Sequence, residues 1–163
     1  MNSAIERLLH LRVADVMTRN VVQVPADETM DKAAELLNQH DISGAPVVDE
    51  LGRCVGVISG SDFVLRERVR KGAKLPSGGV EHVVVQDAPG RPYHIEDIAA
   101  DRVSEHMSSD VQTVAANASL MDAARIMCSE HIHRVVVLDG DRRPMGLISS
   151  LDVVAAMVHA IEE

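Results

Sequence analysis

The clearest pattern along the chain is an order of apolar and polar positions that is written twice. Met30, Ala33, Ala34 and Leu37 recur at helical spacing, and Leu120, Ala123, Ala124 and Met127 repeat the set. Asp27 and Asn117 are the expected N-caps of these two helices. Residues 45–49 then read as a short buried strand, 50–53 as a turn and 54–58 as the hairpin partner, with copies at 135–139 and 144–148. A last helix is expected over about 61–70 and again over 151–161. The order predicted for each copy is strand, helix, strand, strand, helix.

The two copies are in register at a constant spacing of 90 residues, without gaps. Val13 matches Val103, Met17 matches Met107, Ile42 matches Ile132, Val47 matches Val137 and Arg53 matches Arg143. This gives a helical lead-in over 1–12, a first unit over 13–68, a linker over 69–102 and a second unit over 103–163. Each unit is too small to bury both its sheet and its helices, so the pair is expected to pack together about a pseudo-twofold axis. Residues 71–79 of the linker have the composition of a loop, and 82–86 with 91–95 predict a small hairpin.

Composition narrows the function classes. Hydrophobic residues make up 46% of the 163 positions but aromatics only 1%, so Val, Ile, Leu, Ala and Met must fill the core. The methionines, Met17, Met30, Met107, Met121, Met127, Met145 and Met157, read as core filling. A net charge of -9 argues against nucleic acid or an anionic membrane as the main partner. No apolar run reaches the roughly 18 residues that cross a bilayer, and a cytoplasmic protein is expected. Cys54 and Cys128 fall in apolar segments without metal-ligand spacing, which predicts reduced core residues.

The candidate chemistry lies at the end of each hairpin, where Gly56 to Asp62 and Gly146 to Asp152 share the string Gly-x-Ile-Ser-x-x-Asp. Ser-x-x-Asp before a helix is the spelling of a capping box, the plainer reading. A capping box needs neither the Gly nor the Ile, however. A helix N-terminus with a hydroxyl and a carboxylate also suits the phosphate and ribose of a nucleotide.

Val13-Ala14-Asp15-Val16-Met17, residues 42–49, Gly56 to Asp62 and their counterparts, in this order and twice, resemble a tandem pair of cystathionine-beta-synthase (CBS) domains, the Bateman module. The resemblance implies an α+β fold of two pseudosymmetric β-α-β-β-α units packed sheet to sheet, with adenosyl ligands in the clefts between them. It assigns Asp62 and Asp152 to ribose and Ser59 and Ser149 to the neighbouring hydroxyl. His133 and Arg134 match the family's phosphate-contacting His-Arg pair, whereas the first unit has Ser43, Gly44 and Ala45 there. Val22 and Thr113 lie in the segments that match the family's adenine walls. One cleft is thus expected to combine Ser59 and Asp62 with His133 and Arg134, the other Ser149 and Asp152 with Ser43, Gly44 and Ala45. The first should favour phosphorylated adenosine (AMP, ADP or ATP), and the second should bind weakly or take S-adenosylmethionine.

No nucleophile and base, Walker loop or dinucleotide fingerprint supports an enzyme, so a non-catalytic sensor is expected, requiring no cofactor and signalling to a partner in trans. His131-x-His133 is not read as a metal pair, because alternate positions of a strand face opposite sides. Apolar residues on the last helices, Phe63, Val64, Val153, Val154, Met157 and Ile161, predict a homodimer. The alternative is a scaffold without a ligand that serves dimerisation or partner docking.

Overall fold

A computed structural model describes residues 3–72 and 101–162. The hairpin expected at 82–95 lies outside the described residues. The first unit holds β2 (Val24–Pro25), α3 (Met30–Gln39), β3 (Gly44–Val48), β4 (Cys54–Ser59) and α4 (Gly60–Arg70). The second repeats it with β5 (Thr113–Ala115), α6 (Leu120–Glu130), β6 (Arg134–Leu138), β7 (Pro144–Ser149) and α7 (Ser150–Glu162). In each, the first strand pairs parallel with the second across the helix, and the hairpin pairs antiparallel. The expected element order and mixed architecture are therefore present.

Ahead of these elements, α1 (Ser3–His10), α2 (Val13–Val16) and β1 (Thr18–Arg19) precede the first unit, and α5 (Val103–His106) precedes the second. Each lead-in crosses to the other unit. β1 adds to the edge of β7 in the second sheet, and Ser108, its counterpart, bridges to Val57 in the first. Val13 donates its N–H to the Ala118 carbonyl at 3.0 Å, as Val103 does to the Glu28 carbonyl at 2.9 Å. Val13 and Met17 are buried in the core of the second unit with Leu120 and Ile148, and Val103 in that of the first with Met30 and Ile58. The exchange makes each core incomplete without the other unit's lead-in.

The hairpins also meet directly. Cys54 donates its N–H to the Arg142 carbonyl at 2.9 Å, and Arg143 Nε donates to the Leu51 carbonyl at 3.2 Å. A pseudo-twofold pairing of the two units follows.

Several local expectations need correction. Helices α3 and α6 are capped two residues later than expected, by Thr29 and Ser119, whose hydroxyls accept from Lys32 N–H and Asp122 N–H. The Asp27 carbonyl accepts from Arg102, 2.6 Å away. The Ser119 hydroxyl donates back to Asp122, which holds that carboxyl below its usual range. Cys54 is buried, and that burial raises its thiol pKa, whereas Cys128 is exposed on the outer side of α6. Met121 and Met157 are exposed and fill no core; Phe63 and Val153 are packed against the cores and leave the outer apolar face.

Candidate ligand-binding site

In both Ser-x-x-Asp turns the carboxylate caps the Ser N–H, and in the second the Ser149 hydroxyl also accepts the Asp152 N–H, at 3.2 Å. The Asp62 carboxylate accepts from Ser59 N–H at 2.7 Å and from the Ser59 hydroxyl at 3.1 Å, both on Oδ2. Asp152 accepts from Ser149 N–H and hydroxyl, each at 2.7 Å, again on Oδ2. These bonds to the carboxylates all fall on Oδ2, and a carboxylate offers about four lone-pair sites over its two oxygens, so each can accept from a further donor.

The Gly and Ile of the repeated string are explained without a ligand, which corrects the weight given to them above. Ile58 and Ile148 are fully buried core. A Cβ on Gly56 would stand 2.4 Å from Met107 Sδ and 2.9 Å from the Ser108 carbonyl; on Gly146 it would stand 2.6 Å from Met17 Sδ and 2.9 Å from the Thr18 carbonyl. These glycines admit the exchanged lead-ins.

Strand pairing decides which residues share an end of the sheet. Gly44 lies opposite Ser59, and the Ser43 carbonyl accepts the Gly60 N–H at 2.9 Å, in the first turn of α4. Arg134 lies opposite Ser149, and the His133 carbonyl accepts the Ser150 N–H at 2.9 Å. One side chain breaks this symmetry: Arg134 crosses the pseudo-twofold and donates to the Ser43 hydroxyl at 2.6 Å. The guanidinium is thereby brought to the residue that bonds the start of α4, where Ser59 and Asp62 sit. Its counterpart, Gly44, has no side chain with which to do the same for Asp152.

The other candidates are distributed around these ends. Thr113 is exposed in β5 and Val22 is half-buried just before β2, whereas the valines beside them, Val114 and Val24, are core. Ala45 is buried against the first core, so only its backbone could meet a ligand. His133 is exposed before β6 begins. His131 closes α6 in the left-handed region, with φ 54, so the two histidines do not share a strand as expected.

The sequence reading missed a polar cluster beneath the lead-in of the second unit. Arg66 on α4, 9% exposed, pairs with Asp31 at 3.2 Å and with Asp101, whose other oxygen contacts His106. Asp101, Glu105 and His106 could present three metal-ligand atoms within 4.8 Å of one another. Two of those groups are already partners in the ion-pair network, so the residues fit a structural cluster better than a cation site. The two Arg66 pairs each join positions 35 apart in sequence, which no local pattern signals.

A family model described as the CBS domain matches residues 13–67 and again 103–159. YhcV, a CBS domain-containing protein of Bacillus subtilis, is 29% identical over 78% of this chain and 72% of its own length. CBSX2 of Arabidopsis thaliana, in a crystal structure with AMP, is 25% identical, with a TM-score of 0.68 over 93% of this chain and 98% of that one. The CBS domain pair of protein MJ0100, solved with 5'-methylthioadenosine and S-adenosyl-L-methionine, has a TM-score of 0.66 at 20% identity over 94% of this chain and 98% of that one. The chain spans 26% and 31% of the length of two other curated relatives that it matches.

Proposed function

Because this chain belongs to the CBS-domain family, we propose that it is a regulatory module that binds an adenosine-containing ligand between its two units and passes the change to a partner protein. The observation that carries this reading is the reach of Arg134 to Ser43. It sets a fixed positive charge near the first turn of α4, whose N-terminal N–H groups and Ser59–Asp62 pair complete a set for phosphate and ribose. AMP bound to CBSX2, the relative structure at 25% identity, supports the same ligand class. At the Asp152 end the residue matching Arg134 is Gly44, which has no side chain, and there we assign weaker binding or S-adenosylmethionine. The module itself catalyses nothing; its ligand acts by favouring one arrangement of the two units, and the size of the response equals the difference in affinity between arrangements.

A second reading rests on the outer face of α7. Leu151, Val154, Val158 and Ile161 form one exposed stripe, with Leu151 74% and Ile161 72% exposed, and Val64 and Leu65 are exposed on α4. Such a face suits a second copy of this chain. If pairing were the whole function, no adenosyl ligand would be needed. Among the described residues no helix is long and apolar enough to cross a membrane, so this stripe is not a spanning segment.

Thermal unfolding with AMP, ADP, ATP or S-adenosylmethionine at millimolar concentration separates the two readings. At a hundred times Kd, ligand stabilises by about 2.7 kcal/mol, and a shift of several degrees is expected with at least one phosphorylated adenosine. Asp62→Ala should lose that shift and cost about 1 kcal/mol as a broken cap. No shift with any of the four would leave the scaffold reading alone.

A further inference from the structure

The pseudosymmetry sets the outer faces of α4 and α7 side by side for comparison. Leu151, Val154, Val158 and Ile161 follow one another at intervals of 3, 4 and 3 residues, the a and d spacing of a coiled-coil seam. The stripe runs about 15 Å along the helix at roughly 1.5 Å per residue, and its side chains are exposed, from 48% at Val158 to 74% at Leu151. Val153 and Ala156 turn the other way, against the second core. Ninety residues earlier, the same positions are Ser61, Val64, Arg68 and Lys71. The stripe that is free of charge in the second unit carries two cations in the first.

The spacing on α7 reads the same in both directions. Leu151 and Ile161, and Val154 and Val158, are placed symmetrically about the level of residue 156, so an antiparallel copy sets Leu151 on the partner's Ile161 and Val154 on the partner's Val158. A twofold contact requires that reciprocity. Charge agrees with the direction: Glu162, exposed at the end of α7, comes to the first turn of the other helix, the positive end of its dipole. Asp152, also in that turn, is turned to Ser149. The same pairing of α4 would press Arg68 onto Val64 and bring Lys71 to a positive helix end. Pairing α4 with α7 would still lay those cations on apolar side chains, and a charge buried without a partner is costly.

We propose that two copies of this chain pair through α7 alone, antiparallel and in this register, with α4 outside the contact. The proposal rests on the pairing reading of this face and adds which helix pairs and which residues meet. It needs no ligand, so it is independent of the nucleotide reading.

The test is analytical ultracentrifugation of the full chain from micromolar to submillimolar concentration. Wild type and Val64→Arg should sediment at twice the chain mass. Val154→Glu and Val158→Arg should each sediment at the chain mass, their dimers weakened about a hundredfold or more. Mixing those two variants should restore dimers, because the register brings the two introduced charges together across the seam. Both positions are exposed, and Leu151→Lys at the end of the seam repeats the test should Val158→Arg not keep the circular dichroism of wild type. A monomeric wild type would overturn pairing altogether. A dimer retained by Val158→Arg, or lost in Val64→Arg, would overturn the choice of α7 over α4 while leaving pairing in place, and a mixture that stays monomeric would overturn the register.

Discussion

Gly56→Ala is expected to lower stability by about 3 kcal/mol, at the upper end for overpacking a core. The methyl group would enter space held by Met107 Sδ, 2.4 Å away, and the Ser108 carbonyl, 2.9 Å away. The thioether can turn aside, but the carbonyl cannot: Ser108 and Val57 exchange two backbone hydrogen bonds of 2.9 and 3.0 Å that fix the lead-in on β4. Relief therefore requires the lead-in to lift, which withdraws Val103 from the first core. Gly146→Ala should behave alike through Met17 and Thr18. Gly140→Ala is the control, because nothing lies within 4 Å of its added Cβ and its φ is not in the positive range. In thermal unfolding, with about 2–4 °C per kcal/mol at this chain length, the first two should melt some 6–12 °C lower and the control within about 2 °C of wild type.

Arg66→Met is the second large effect, again about 3 kcal/mol. Removing one partner of a buried pair leaves the other charge without compensation, at a typical cost of 3–5 kcal/mol. Asp101 would retain only His106, and Asp31, which is exposed, would return to water at little cost. The second unit shows the alternative solution for this position, with Met121, Leu11, Val16 and Ala156 in place of the four polar residues. Carrying the matching Asp101→Leu and His106→Val into Arg66→Met should recover most of the loss, since the buried Arg66 Nε has no partner and an apolar set leaves nothing unpaired. Chemical denaturation of the single and triple variants measures both; a triple variant no more stable than the single one would contradict the explanation.

These two sites also mark where sequence reasoning stops. The repeat at 90 residues carried the fold, because matched apolar positions such as Val47 and Val137 keep one register through two strands and two helices. It could not show that Met17 and Met107 pack under each other's glycines. Thr18–Arg19 and Ser108 are too short and too polar to announce a strand, and their partners lie in the opposite unit. The same holds for Arg66: its charge reads as helix surface until α5 folds over it. At the candidate site, the Ser59–Asp62 and Ser149–Asp152 turns were legible as local hydrogen-bonding sets. The inequality of the two ends was legible too, as Arg134 against Gly44, since a missing side chain needs no tertiary knowledge. What the Gly-x-Ile positions do was not, because close approach of a distant backbone leaves no mark on the string that accommodates it.

The most direct test of the nucleotide reading is isothermal titration of AMP, and of adenosine without its phosphate, into wild type and Arg134→Ala. A charge-assisted contact from guanidinium to phosphate is worth on the order of 1.5–3 kcal/mol, so AMP should bind about 10- to 150-fold more weakly to Arg134→Ala while adenosine binds both proteins alike. Equal AMP affinity in the two proteins would contradict the assignment of Arg134 to the phosphate and with it the inequality of the two clefts.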